Sequence, residues 1–442
     1  MTALKTSAGV LDIVRALAAG EALPQDLIAA SHARARALEG ELRAFAHLPA
    51  EAPSATQGAT SGAGPLTGVA VGVKDLIATA DMPTTYGSAV YADHQPAEDA
   101  YVVGRLKDLG ATILGKTITT EFAWREPGPT RNPWNLGHTP GGSSSGSAAS
   151  VASGSVQVAL GTQTLGSILR PAAYCGVVGL KPSHGTIALK GVHDLSQSLD
   201  HLGLFARSVD DAAFVLSLLA GGPGTARRTI FPFGVAGVTP FPAPRIAWLR
   251  PAGAPALEDS QIALMEMAAA RFAGSGATVQ AVTLPEEFAE LPAISATVCG
   301  AEGAANFGDL VARFPDKTSA RLQALVERGA AITATDYLAA RAAQLALRAE
   351  FTRVLAGFDA LLTAPATGEA PEGLGETGDP GLCVPWTTIG VPAIALPAGT
   401  GPRGLPLGIQ LVAPFGEDVK LLRVAKWCET ALAYPSRIAP GA

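Results

Sequence analysis

The sequence predicts an α/β fold, on three observations. Stretches with apolar residues at helical spacing alternate with short apolar runs such as Val156–Leu160, Val177–Leu180, Ile246–Leu249 and Ala360–Thr363, the pattern of helices interleaved with buried strands. Of the 442 residues, 48% are hydrophobic and 16% charged, a composition that fills a large core and is far from that of a disordered chain. No self-similarity recurs at the periods of solenoids or propellers.

Taken in order, residues 8–46 read as helical, with Val10, Leu11, Ile13, Val14 and Leu17 near a 3.6-residue period. Pro24 sits at the start of a second helix that gathers Leu27, Ile28 and Ala35 on one face. Residues 49–65, rich in Pro, Gly, Ser and Ala, read as an exposed connector. The first strand follows around Val69–Val73, with Lys74 at its end. A helix carrying Val102, Val103, Leu106 and Leu109 then passes through Gly110 into a short strand, Ala111–Leu114. The segment 365–381, PATGEAPEGLGETGDPG, reads as a turn-rich surface excursion.

Charge and composition exclude several functions. The net charge of −6 carries no basic stripe, so nucleic-acid binding has no electrostatic footprint. No apolar run reaches the roughly 18–20 residues that span a bilayer, and Asp12 interrupts the N-terminus before a signal-peptide core is reached. A cytoplasmic location without membrane contact is expected. Cys175, Cys299, Cys383 and Cys428 have no CxxC spacing and read as free, mostly buried thiols rather than metal ligands or disulfides. All 7 histidines lie at or before His201, which disfavours the Ser…Asp…His order of α/β-hydrolases. Gly110–Thr117, GATILGKT, matches a phosphate-binding GxxxxGK[ST] pattern. A strand must precede that loop and a helix follow it; the reverse is expected here, and the motif reads as a helix-to-strand turn.

The richest stretch is 139–182, TPGGSSSGSAASVASGSVQVALGTQTLGSILRPAAYCGVVGLKP. Two Gly/Ser clusters flank the apolar run Val156–Leu160, so they punctuate a packed core rather than form a linker. Glycine beside serine lets backbone N–H groups and a hydroxyl converge on one point, which acyl transfer needs for its nucleophile and its oxyanion. A lysine on a strand usually snorkels to the surface. Lys74, however, has Val71, Val73, Leu76 and Ile77 for neighbours, and burial among them would lower its pKa and make a base available.

This stretch resembles the signature block of the amidase signature family of serine hydrolases. The similarity extends to GVAVGVKDLIAT (68–79), MPTTYGS (82–88), GATILGKTITTEF (110–122), NPWN (132–135) and IGVPAIALPAGTGPRGLPLGIQLVAP (389–414). The resemblance implies one domain over 1–442, with a helical segment (1–48), the connector, a catalytic core (66–220) and the remainder (221–442), built as a large mixed twisted sheet covered by helices on both faces. It implies Ser167 as nucleophile, Ser143 as a serine relaying protons after a cis Gly142–Ser143 bond, and Lys74 as the base, at spacings that fit compact bacterial members. Backbone N–H groups of Thr164, Leu165, Gly166 and Ser167 take the oxyanion-hole positions, Ser144 supports the hydrogen-bond network, and Ser145 and Ser147 fill packing space. No metal, nucleotide or other cofactor is implied.

Three positions depart from the family pattern: Gln163 stands for an aspartate, Leu165 for a glycine, and Leu169 for an arginine, with Arg170 one place later. A neutral arrangement in place of an ion pair is expected. Trp124 either walls a substrate pocket or fills core, and Gln163 is a second substrate-binding candidate. Arg125 and Arg131 read as solvated loop arginines, with a substrate carboxylate as the alternative. Asp200 and His201 are sequence neighbours whose side chains diverge in an extended segment, so a histidine triad is not supported. The expected activity is hydrolysis of a small-molecule carboxylic amide through an acyl-enzyme, with a homodimer left open. The alternatives are the glutaminase (A) subunit of a tRNA-dependent amidotransferase, a hydrolase of allophanate or carboxybiuret, and a non-enzymatic binding protein.

Overall fold

The computed structural model describes residues 8–55, 64–225, 230–249 and 255–440; part of the 49–65 connector lies outside them. Among the described residues, eleven strands, β1 (Phe45–His47), β2 (Ala70–Lys74), β3 (Thr112–Thr117), β4 (Val158–Gln163), β5 (Val178–Lys181), β6 (His201–Ala206), β7 (Arg245–Trp248), β8 (Thr278–Ala281), β9 (Ala360–Thr363), β10 (Ala393–Thr400) and β11 (Pro406–Val412), form one sheet in the order β1-β3-β2-β4-β6-β5-β10-β11-β9-β7-β8. The sheet is mixed: β3, β2 and β4 run parallel, as do β9, β7 and β8, and antiparallel pairs join these blocks.

The helices that cover it are α1 (Val10–Ala18), α2 (Pro24–Leu42), α3 (Tyr101–Asp108), α4 (Ser145–Ala152), α5 (Leu169–Cys175) and α6 (Val209–Leu219). They continue with α7 (Asp259–Gly274), α8 (Leu291–Arg313), α9 (Ala320–Ala330), α10 (Ala334–Val354), α11 (Val384–Thr388) and α12 (Asp418–Leu432). Successive strand side chains point to opposite faces, and the core divides accordingly. Val71, Val73, Val158, Leu160, Ile394 and Leu396 pack with α1, α3, α6, α7 and α12. Ala70, Ala159, Phe205, Ala393 and Ala395 pack with α2, α4, α5 and α8–α11. Helices thus cover both faces of the sheet.

The GxxxxGK[ST] pattern is consumed by this architecture. Gly110 turns the chain out of α3 at φ 84°, and β3 then runs through Thr117, three residues beyond the expected strand. Lys116 is fully buried. Its Nζ donates to Ile77 O at 2.7 Å and Thr84 Oγ1 at 2.5 Å, and lies 3.4 Å from Asp75 Oδ1. The lysine that would grip phosphate is therefore spent inside the core.

The 365–381 segment is turn-rich but not simply a surface excursion. Ala366, Glu369 and Ala370 are buried, and residues 376–380 come to wall a cavity. The reason is tertiary: Arg170 and Tyr174 of α5 pack beneath this segment, and a Cβ at Gly378 would meet the Tyr174 hydroxyl at 2.5 Å.

Candidate active site

Parallel strands end at a common edge, where open α/β sheets collect their ligands. Lys74 and Gln163 are the last residues of β2 and β4. Lys74 is completely buried. Its Nζ reaches Ser143 Oγ at 2.7 Å and Thr162 Oγ1 at 2.8 Å. Burial pushes its pKa well below the ordinary lysine value, opposed by the negative charge of Asp200. Asp75, its neighbour, turns instead to Thr85 and Lys116.

Ser143 is presented by a short irregular segment before α4. Gly141 adopts φ 82°, which a side chain rarely tolerates, and the Gly142–Ser143 peptide is cis. Ser143 O accepts from Thr120 N at 3.2 Å. Beyond it, Ser144 Oγ donates to Thr162 O at 3.2 Å and Ser147 Oγ to Leu160 O at 2.8 Å. Small side chains let α4 approach the sheet closely, and their hydroxyls find backbone acceptors there.

Ser167 lies in the turn between β4 and α5 and shares with Ser143 the lining of a cavity of about 50 Å³. Gln163, a substrate-binding candidate in the sequence, is placed beneath this turn, wholly enclosed. Its Oε1 accepts from the amides of Ile168 (2.7 Å) and Leu169 (3.0 Å), and its Nε2 donates to Thr387 Oγ1 at 2.7 Å. A neutral carboxamide suffices for two amide donors and one hydroxyl acceptor. Among the described residues, no protein group accepts from the amides of 164–167.

The cation, by contrast, is retained one residue later than the pattern places it. Arg170 is buried; its Nε donates to Thr377 O and its Nη2 to Gly142 O, both at 2.7 Å. The guanidinium passes so close that a Cβ at Gly166 would meet Nη1 at 2.8 Å. Nη1 itself is buried without a hydrogen-bond partner among the described residues, and Arg170 lines the small cavity.

Beside the small cavity lies a larger one of about 1010 Å³, walled by Trp124, α8, α9 and residues 376–381. Leu165, Trp124 and Arg125 line both, and Arg131 lines neither. Trp124 is 7% exposed, so it serves core and cavity wall together. It belongs to a strained segment in which Phe122, Ala123 and Arg125 have φ of 46°, 61° and 42°. Neighbouring contacts hold that backbone: Phe122 N donates to Tyr86 O at 2.8 Å, Trp124 Nε1 to Arg321 O at 3.0 Å, and Arg321 Nη1 to Arg125 O at 2.6 Å. Such conformations persist where surrounding structure over-determines them, commonly at functional sites.

A model of the amidase family matches residues 26–422. The chain belongs to the amidase family. Among curated relatives, the glutamyl-tRNA(Gln) amidotransferase (A) subunit of Synechococcus sp. (strain RCC307) is 34% identical, over 90% of this chain and 92% of its own. A solved 6-aminohexanoate cyclic dimer hydrolase complexed with substrate superposes with TM-score 0.90 at 28% identity, covering 99% of this chain and 100% of that one. The native peptide amidase from Stenotrophomonas maltophilia gives TM-score 0.85 at 30% identity, covering 97% and 98%.

Within this family frame, Asp200 and His201 do not form a triad: Asp200 faces Thr164 Oγ1 at 2.5 Å, while His201 Nδ1 donates to Leu199 O at 2.6 Å. Three contributors escaped the sequence reading. Arg170 had no assigned role, Thr377 sat in a segment read as surface, and α8 supplies Ser295, Cys299 and Gly300 to the large cavity. Only the displaced arginine carried a signal, as a basic residue inside a buried Gly/Ser/Ala stretch.

Proposed function

We propose that the protein hydrolyses a carboxylic amide through an acyl-enzyme on Ser167. The supporting observation is the 2.7 Å contact from Lys74 Nζ to Ser143 Oγ, with Ser143 and Ser167 facing one cavity. Neutral Lys74 takes the Ser143 proton as Ser143 takes that of Ser167, and Ser167 Oγ bonds the carbonyl carbon. Amides of 164–167 stabilise the oxyanion. The C–N bond then breaks, the leaving nitrogen receiving its proton back through Ser143, and water releases the acid by the same relay.

The large cavity favours a substrate with a bulky, mainly apolar group, and the unpartnered Arg170 Nη1 offers a donor to a substrate carbonyl or carboxylate. A fluorophosphonate probe is expected to label Ser167, and Ser167→Ala to abolish both labelling and amide hydrolysis. Labelling located at another serine would sink the assignment.

The amidotransferase relatives support a second reading, the glutaminase component of a multi-subunit amidotransferase, given the near full-length match. Both readings share the chemistry and differ in substrate size and partner. Glutamine hydrolysis together with co-purifying subunits would select the second; preference for bulky amides by the isolated chain selects the first.

A further inference from the structure

Asp200 is a buried carboxylate that the proposed chemistry does not use, and its hydrogen-bond partners Thr164 and Leu195 line the small cavity. Its Oδ1 accepts from Thr164 Oγ1 at 2.5 Å. Its Oδ2 accepts from the amides of Leu195 at 2.8 Å and Ser196 at 2.9 Å. Thr164 opens the 164–167 segment, and both Thr164 and Leu195 line the cavity that holds Ser143 and Ser167. One carboxylate thus receives three donors from two separate stretches of chain.

The second stretch is itself anchored. Glu302 of α8 accepts from Ser196 Oγ at 2.6 Å and Ser198 N at 3.0 Å, and Asn306 Nδ2 donates to Leu195 O at 3.2 Å. The 195–198 turn is therefore held against the same helix that walls the large cavity, and Asp200 transmits that fixed position to Thr164. A carboxylate suits the task because it only accepts, and all three groups facing it can donate. An asparagine of the same shape can keep its oxygen on the two amides only by turning its N–H toward Thr164 Oγ1, which reverses that hydrogen bond and removes the charge.

We propose that Asp200 is a positioning residue: through Thr164 Oγ1 it sets the aim of the 164–167 amides at the oxyanion. This rests on the proposed reading of Ser167 as the nucleophile, activated by Lys74, with those amides as its oxyanion donors. Burial pushes the Asp200 pKa up to about 6, so the ionised form that accepts all three bonds dominates at neutral pH. Its charge also opposes the depression of the Lys74 pKa by burial.

Because no substrate is identified, the test uses a fluorophosphonate probe, whose inactivation kinetics separate binding (KI) from bond formation (kinact). A displacement near 1 Å in a reacting geometry costs on the order of 10²-fold. Asp200→Asn is therefore expected to lower kinact by about 10–100-fold with KI within about threefold, as for loss of an interaction made only in the transition state. Thr164→Val should lower kinact comparably, and Thr164→Ser, which restores the hydroxyl, should recover at least about tenfold of that loss. The double variant should be no worse than the poorer single one, since both break one unit. A kinact for folded Asp200→Asn within about threefold of wild type, or additive losses in the double variant, would overturn the proposal. If Asp200→Asn does not fold, the Thr164 pair decides: equal kinact in the Val and Ser variants overturns it. Failure of the underlying reading looks different, because Lys74→Ala and Ser167→Ala would then leave labelling intact.

Discussion

The two cavities that meet at Leu165 are built by different physics. The smaller is walled by strand ends and serine-bearing turns, and its side chains are held by hydrogen bonds to named partners. The larger is walled by Trp124, by helices α8 and α9 and by the 376–381 turns, mostly through apolar contact. The first is set by directional hydrogen bonds, the second by a volume and a polarity. The proposed reading therefore makes reactivity and selectivity separable, with Leu165 lining both cavities and Arg170 lining the smaller.

Lys74→Arg tests the reactive side and carries the largest expected effect. Guanidinium cannot accept a proton at accessible pH, so amide hydrolysis should fall by roughly 10⁴–10⁶-fold, as when a catalytic unit loses a member. In the unaltered protein, burial lowers the Lys74 pKa. If Lys74 is the base we propose, its deprotonated form carries the activity, and kcat/KM should rise with pH through one ionisation lying well below that of a free lysine. A rate that falls as pH increases through that range would contradict a lysine base.

How much of this was legible in the sequence follows the same division. The two Gly/Ser clusters stand out because close backbone approach demands glycine and small residues locally, and that demand is written in consecutive letters, whereas the choice of Lys74, Ser143 and Ser167 is implied by the family resemblance. Helices α1 and α2 and strand β2 were likewise readable, since their apolar periods depend on near neighbours. The wall of the large cavity was not. Pro292, Ser295 and Leu325 are ordinary helical residues whose role arises only when α8 and α9 pack against the distant 376–381 turns. The Gln163 substitution was visible as a departure, yet its consequence was not: the carboxamide binds the amides of Ile168 and Leu169 rather than substrate. Nor does a neutral pair replace the charged one, because Arg170 buries the cation against carbonyl oxygens instead of a carboxylate.

Arg170 tests whether the boundary is structural as well as chemical. Its side chain ties Gly142, beside Ser143, to Thr377 on the wall of the small cavity. Arg170→Met keeps much of the apolar stem but leaves two buried carbonyls without donors. Each hydrogen bond to a charged group is worth about 1.5–3 kcal/mol, so a stability loss of roughly 2–4 kcal/mol is expected in denaturant titration. Activity should fall alongside, through the displaced 142–143 segment. Unchanged stability with lost activity would assign Arg170 to substrate contact alone.

The smallest expected effect concerns Leu165, and it separates the two cavities most cleanly. Its carbonyl accepts from Thr387 Oγ1 at 2.9 Å, so the backbone of the 164–167 segment is held independently of the side chain. Leu165 lines both cavities. Leu165→Gly removes that shared wall while keeping the amide donor, and frees the backbone somewhat. Fluorophosphonate labelling of Ser167 should persist. The ratio of kcat/KM for bulky against short acyl amides should rise, by about 10–200-fold if one hydrophobic wall decides the preference. A change of that size in the ratio, with short amides still hydrolysed, would show selectivity moving without the chemistry. An unchanged ratio would place the control of substrate size deeper, on α8 and the 376–381 turns, and would make the two cavities independent even at their common wall.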